Sequence, residues 1–378
     1  MDREWTAERI LELTRGYQGA CVLAAGAELG VFAALAVRPR AAAELAAELG
    51  LDARATRVLL DALAALGLLE KRDDRYCVSP DVDGLVGRGA RLLAMVRHHA
   101  NCLRRWARLA EVVQQGRPAA REPSVRGAEA DTAAFVEAMN DINAGVADAL
   151  AAELQLEFGH LLDVGGATGT WALAFLRSHP AGMATIFDLP PAIALARRRV
   201  AAAGMADRVR LVAGDFTEDP LPGGADVAWV SAIVHQNSRA ENRALFQNIR
   251  TALAPGGRIL IRDYVMAESR IEPAGGALFA VNMLVGTEGG ATFTFAELAE
   301  DLCAAGFVEV ALLREEAGMS SVVAARKPGA ETMASATRSL ADLARWWGTY
   351  KHSAPSAGDD GQSLARGCEY QAFIQADE

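Results

Sequence analysis

The stretch Leu161-Leu162-Asp163-Val164-Gly165-Gly166-Ala167-Thr168-Gly169-Thr170 constrains this chain more than any other. Its first residues read as a short buried strand, and helical periodicity resumes at about Trp171. Between them, Gly165 and Gly169 lack a Cβ. The backbone there can take φ > 0 and let a ligand approach closely. The helix behind the turn offers N–H groups and a positive dipole end to an anionic group. On its own, Gly165-x-x-x-Gly169 equally suits a tight turn with no ligand.

The next two strands add weight to the ligand reading. Ala184-Thr185-Ile186-Phe187-Asp188 is an apolar run ending in an acid, 188 − 169 = 19 positions after the last glycine. An acid at the tip of the second strand of a doubly wound unit accepts hydrogen bonds from both ribose hydroxyls. Arg208–Phe216 reads as a third strand ending in Gly214-Asp215-Phe216. There a carboxylate can take an amino group while a ring covers a base face. Neither Gly-x-Gly-x-x-Gly nor Gly-x-x-x-x-Gly-Lys-Ser/Thr occurs, which argues against a dinucleotide enzyme and a P-loop NTPase.

The rest of the chain fits around this unit. Its 378 residues suggest two domains with a tail, and 51% are hydrophobic, enough for large cores. With 38 basic and 48 acidic residues the net charge is −10, which disfavours nucleic acid and anionic membranes as partners. The five cysteines are scattered without Cys-x-x-Cys, and His98 and His99 point to different faces of a helix, so no metal is expected. No signal-peptide pattern opens the chain, and a cytoplasmic setting is expected.

Residues 1–110 are Ala/Leu-rich and helical in pattern, with Trp5–Gly30 as one helical segment. Ala42–Leu60 reads as helix, turn at Gly50 and helix, and Arg72–Val78 as a small hairpin. Together they spell a winged helix-turn-helix. The second helix, Ala53–Leu66, carries only Arg54 and Arg57 against Asp61, a weak footprint for DNA. Ala90–Val113 is helical, Gly116–Arg126 is a linker, and a long helix over 133–156 leads into the glycine strand. Further strands are Ala225–Ser231 and Arg258–Asp263. A helix over Phe295–Gly306 and a final antiparallel pair, Phe307–Arg314 with Ser320–Lys327, complete the order.

Asp163-Val164-Gly165-Gly166-Ala167-Thr168-Gly169, Phe187-Asp188-Leu189-Pro190 and Gly214-Asp215-Phe216 resemble the class I S-adenosylmethionine-dependent methyltransferases. More narrowly they resemble the plant-type and bacterial small-molecule O-methyltransferases, which include the caffeate, acetylserotonin and hydroxyneurosporene enzymes. The resemblance covers roughly residues 10–327. It implies a Rossmann-like α/β fold with a seven-strand methyltransferase sheet. Residues 1–115 would be a winged-helix-like domain that forms a homodimer, 116–328 the cofactor-binding domain, and 329–378 an extension of unassigned role. The implied cofactor is S-adenosyl-L-methionine, with S-adenosyl-L-homocysteine as product. Asp163, Gly165, Gly166, Gly169, Asp188, Leu189, Gly214, Asp215, Phe216 and Ser231 fall on cofactor positions. Met139, Asn140 and Asn143, with Phe279, Asn282 and Met283, fall on positions that line the acceptor pocket.

His235 stands just past the fourth strand, on the ligand edge of such a sheet. An imidazole there is suited to take a hydroxyl proton as a methyl group arrives. Asp263, 263 − 235 = 28 residues on, ends the neighbouring strand and can orient the ring. Both match the family's catalytic histidine and first orienting acid. The pattern departs elsewhere: the usual His-Asp-Trp is His235-Gln236-Asn237, and the second acid falls on Thr292. The function expected is O-methylation of a small hydroxylated, aromatic metabolite. Methyl transfer to carbon or nitrogen, a non-methylating relative, and a ligand-sensing DNA-binding dimer are the alternatives.

Overall fold

The computed structural model describes residues 4–87 and 92–329. The chain divides into two compact units, with the break between Gly145 and Val146.

In the first unit, α1 (Ala7–Arg15) and α2 (Tyr17–Glu28) replace the single helical segment expected, parting at Gly16. The Thr6 side chain accepts Arg9 N and caps α1. After α3 (Val31–Leu35) come a two-residue strand β1 (Arg40–Ala41), α4 (Ala42–Leu49) and α5 (Ala53–Ala65). Gly50 ends α4 in the left-handed conformation, and Asp52 caps α5 through Ala55 N. Strands β2 (Leu69–Arg72) and β3 (Arg75–Val78) form the hairpin, and the small sheet runs β1-β3-β2. Phe32, Leu45, Leu60, Leu63 and Tyr76 make its core. Then follow α6 (Pro80–Val86), α7 (Leu92–Trp106) and α8 (Leu109–Gln115), so the helix expected over 90–113 is two helices. Helix α9 (Ala128–Leu154) begins earlier than expected and spans the division in sequence.

The second unit carries strands β4 (His160–Val164), β5 (Met183–Asp188), β6 (Val209–Ala213), β7 (Ala225–Ser231) and β8 (Leu253–Asp263). A short pair, β9 (Val265–Met266) with β10 (Phe293–Thr294), stands apart from the main sheet. The chain closes with β11 (Val308–Arg314) and β12 (Ser321–Arg326). Between the strands run α10 (Thr170–Ser178), α11 (Pro190–Ala202), α12 (Arg239–Ala252), α13 (Ala274–Leu284) and α14 (Phe295–Ala304). The main sheet has seven strands in the order β11-β12-β8-β7-β4-β5-β6, parallel except for β12, which runs antiparallel to both its neighbours. The chain moves outward from β4 to β6, then returns to lay β7 on the other side of β4. That reversal opens a crevice outside the carboxyl ends of β4 and β7, where such sheets bind ligands.

Alternation along the strands sends each side chain to one of two cores. Leu162, Val164, Ala228, Val230, Ile259 and Ile261 meet residues of α12 and α14. Leu161, Trp229 and Leu260 meet Trp171 and Phe175 of α10 and the end of α9. Trp229 is fully buried, its ring 5.2 Å from Trp171 and 4.9 Å from Phe175. The same alternation aims Asp163 toward α10 and Asp263 toward the α12 face. Among the described residues no helix is long and apolar enough to cross a membrane. Residues 330–378 of the expected extension lie outside the described residues.

Candidate active site

The glycine turn follows β4 as expected. Gly165 sits at φ 64° and Gly169 at φ 79°, and Ala167 between them is also left-handed at φ 47°. Gly165 N donates to Phe187 O at 2.9 Å, tying the turn to the tip of β5. Gly169 is the N-cap residue of α10. The glycines differ in what a side chain would meet. A Cβ on Gly165 would fall 2.6 Å from Ile233 Cδ1 and 3.8 Å from the Phe216 ring, so this glycine, the end of β7 and Phe216 share one cradle. A Cβ on Gly166 would strike the Asp163 carboxyl at 2.7 Å, one on Gly169 would strike Ile186 at 2.6 Å, and one on Gly214 would strike Phe187 at 2.5 Å. These three let the turns pack on their own interior.

Asp163 is 1% exposed and lies beneath the turn, where Oδ2 accepts Ala172 N at 3.1 Å in the first turn of α10. Burial pushes its carboxyl up to about 7. Arg199, on α11, holds the turn from behind: its Nη1 donates to Thr168 Oγ1 at 2.7 Å and Thr170 Oγ1 at 3.1 Å. Nothing in the sequence pattern marks Arg199 for this, because its partners lie 31 and 29 residues away in the chain.

At the tip of β5, Asp188 is half-buried beside exposed Leu189. Its Oδ2 accepts Ala167 N at 2.7 Å, and its Oδ1 accepts Leu189 N at 2.6 Å. Burial raises its carboxyl above the ordinary range, against the pull of those two N–H donors. Past β6, Asp215 Oδ1 accepts the Thr217 hydroxyl at 2.6 Å and Thr217 N at 2.9 Å, which hold it below the usual carboxylate range.

Ser231 ends β7, and Ala232 behind it takes φ 58°, bending the chain into the 3-10 turn Val234–Gln236. The bend buries His235 to 6% exposure against Asp263. His235 Nδ1 lies 2.8 Å from both Asp263 oxygens, and the carboxylate also accepts Tyr264 N at 2.8 Å. His235 Nε2 makes no hydrogen bond among the described residues. Gly290 packs against the turn's backbone, where a Cβ would fall 2.5 Å from His235 O. Gln236 donates to Ala232 O and Asn237 to Asn242 Oδ1, so neither amide is bonded to the imidazole. Ser231 Oγ accepts Arg262 Nη1 at 3.3 Å, and the buried guanidinium of Arg262 lies 4.8 Å over the Trp171 ring. Burial lowers Arg262 to about 10.

Phe279 and Met283 lie one turn apart on α13, with Asn282 half-buried beside them. The Phe279 ring stands 4.8 Å from the His235 ring with planes 89° apart, and 5.2 Å from the ring of Tyr264. Sequence reading missed Tyr264, whose only signal is its place directly after Asp263 at the ligand edge. Met139 and Asn143 share a face of α9, where Asn143 Nδ2 donates to Met139 O at 2.9 Å. The side chain of Asn140 lies outside those described.

A doubly wound sheet with a glycine turn, acids at the two following strand tips and a histidine–aspartate pair across the reversal point defines a nucleotide-cofactor transferase of the methyltransferase type. Residues 106–308 match the O-methyltransferase domain, and residues 11–81 match the O-methyltransferase dimerisation domain. The chain belongs to the S-adenosylmethionine-dependent O-methyltransferase family. It is 35% identical to the tetracenomycin polyketide synthesis 8-O-methyl transferase TcmO of Streptomyces glaucescens, over 84% of this chain and 96% of that protein. It is 35% identical to the 3-hydroxy-5-methyl-1-naphthoate 3-O-methyltransferase of Streptomyces sahachiroi, over 84% of this chain and 94% of that one. Human N-acetylserotonin methyltransferase, solved in complex with SAM, superposes with a TM-score of 0.71 at 26% identity, over 87% of this chain and 99% of that one.

Proposed function

We propose that this protein transfers a methyl group to a hydroxyl oxygen of a small aromatic metabolite of secondary metabolism, with His235 as general base. The observation that carries this is the buried His235–Asp263 pair at the end of β7 and β8. The hydroxynaphthoate in the name of the Streptomyces sahachiroi enzyme supports the substrate class, and the name of TcmO supports transfer to oxygen.

The described residues suit S-adenosylmethionine. Asp188 and Asp215 offer acceptor oxygens at neighbouring strand tips, as a ribose diol and an amino group require. Phe216 and exposed Leu189 offer flat or apolar surface for a base, and Gly165 is partly exposed with no side chain in the way. Gly166, Gly169 and Gly214 give these groups their backbone positions, and Asp163 fixes the start of α10 from below. When bound, the cofactor supplies an electrophilic methyl carbon and leaves as S-adenosylhomocysteine. Asp263 accepts His235 Nδ1–H, which sets the tautomer and leaves Nε2 as the acceptor of the hydroxyl proton. His235 Nε2 would take the proton of the acceptor hydroxyl, and Asp263 would stabilise the resulting imidazolium. Phe279, Asn282 and Met283 are proposed to line the acceptor. Positioning supplies much of the rate.

The proposed domain boundaries are 1–115 for a winged-helix-like dimerisation domain and 116–328 for the cofactor-binding domain. The helix pair α4 and α5 with its hairpin supports pairing of two copies over binding to DNA. On α5, Asp61 takes Lys71 at 2.7 Å, and Arg57 faces Asp74 at 4.0 Å, so cations near the exposed face have acidic neighbours.

Isotopic methyl transfer tests the reading. The protein is incubated with labelled S-adenosylmethionine and a panel of hydroxylated naphthoates, anthraquinones and indoles, with mass spectrometry of products. Label on an oxygen is expected. Label on carbon or nitrogen alone, or no binding of S-adenosylhomocysteine, overturns it.

A further inference from the structure

Asp263 grips the His235 ring at one point. Both carboxylate oxygens converge on Nδ1 at 2.8 Å, so the pair restrains the ring from that side alone. The side chain at 292, where the resemblance places a second acid, is Thr292. It is 3% exposed, and its Oγ1 donates to Gly276 O at 3.4 Å, in the first turn of α13. That helix presents Phe279, whose ring is perpendicular to the imidazole at 4.8 Å. Perpendicular ring pairs at this separation are directional contacts, not mere filling. The Phe279 ring also packs on the ring of Tyr264, at 5.2 Å. Tyr264 can lie there because Gly276 has no side chain: a Cβ would fall 3.2 Å from Tyr264 Cδ1 and 2.4 Å from the Met266 sulfur.

We propose that Phe279 is a positioning residue that narrows the rotation of the His235 ring beside the hold of Asp263 on Nδ1, the second restraint that another carboxylate would otherwise provide. Tyr264 and the Thr292–Gly276 contact hold Phe279 in place for it. This rests on the reading of His235 as the base.

The test uses the full chain. Histidine ring signals are recorded by NMR without ligands, and His235 is assigned by the signal lost in His235→Asn. Phe279→Leu keeps an apolar side chain but removes the ring; Phe279→Tyr keeps the ring. A single narrow His235 signal is expected in the unsubstituted protein and in Phe279→Tyr, and a broadened or doubled one in Phe279→Leu. With the acceptor found by methyl transfer, turnover of Phe279→Leu should fall roughly tenfold to a hundredfold, the scale of a misplaced reacting group. S-adenosylhomocysteine affinity should not change, and Phe279→Tyr should recover most of the rate. A narrow signal with full turnover in Phe279→Leu overturns the proposal, as does equal loss in both variants. If His235→Ala keeps full turnover, the base reading fails instead, and the NMR signals alone then decide whether Phe279 fixes the ring.

Discussion

Asp188 Oδ2 accepts the backbone N–H of Ala167 at 2.7 Å, so the acid at the tip of β5 holds the left-handed residue at the crown of the glycine turn. One carboxylate thus shapes the turn and faces the proposed ribose site. Asp188→Ala should lower S-adenosylhomocysteine affinity by about 2–4 kcal/mol, the scale of lost charge-assisted hydrogen bonds. Calorimetry checks it, and unchanged affinity removes Asp188 from the site.

His235→Ala should lower turnover by about 10²–10⁴, the usual range for a general base. The low end is expected, because Thr292 brings no second carboxylate to the ring. Asp263→Asn should act in the same direction with a smaller effect, and neither change should disturb S-adenosylhomocysteine binding. Steady-state kinetics beside calorimetry separate the two effects. Near-full turnover in His235→Ala would leave methyl transfer resting on proximity.

Asp163 gives a pH test of the fold. Burial raises its carboxyl to about 7, well above the free value, so the folded state favours the protonated form. Its contribution is full below about pH 4 and is lost as pH rises through about 7. Asp163→Asn keeps an acceptor for Ala172 N and does not titrate. Its Tm should therefore gain on that of the unsubstituted protein as pH rises from about 5 to about 8. Thermal scans across that window check it, and a constant difference would contradict it.

The first unit should pair with a second copy through α1. No residue of that helix is buried, and Ile10, Leu13 and the following Tyr17 form an exposed apolar row at helical spacing. The full chain should sediment as a dimer, and Ile10→Lys with Leu13→Lys should shift it toward monomer. A dimer of unchanged strength would place the interface elsewhere in the unit.

What the sequence made legible follows from local pattern. Strands β4, β5 and β7 are continuous apolar runs closed by a turn or an acid, so their ends are visible, and with them Gly165, Asp188 and His235. Strands β1, β9 and β10 have two residues each, too few to show a period. The breaks at Gly16 and Ala107 were missed because the flanking residues keep helical spacing. Arg199 and Tyr264 were missed for another reason: their roles depend on contacts between distant elements. The glycine motif also showed less than the structure gives it, since Gly165 is partly exposed while Gly166 and Gly169 are buried and serve the packing beneath.

The reversal of strand order at β4 sets a timetable during synthesis. β4 gains β5 as a neighbour first, since Leu161 pairs with Ala184, 184 − 161 = 23 residues on, but its other edge waits for β7, where Leu161 pairs with Val227, 227 − 161 = 66 residues on. Domains fold as the ribosome delivers them. The strand tips that carry Asp188 and Asp215 therefore leave the ribosome while one edge of β4 still lacks its partner. The aspartate that holds the histidine arrives later, on the strand that covers β7.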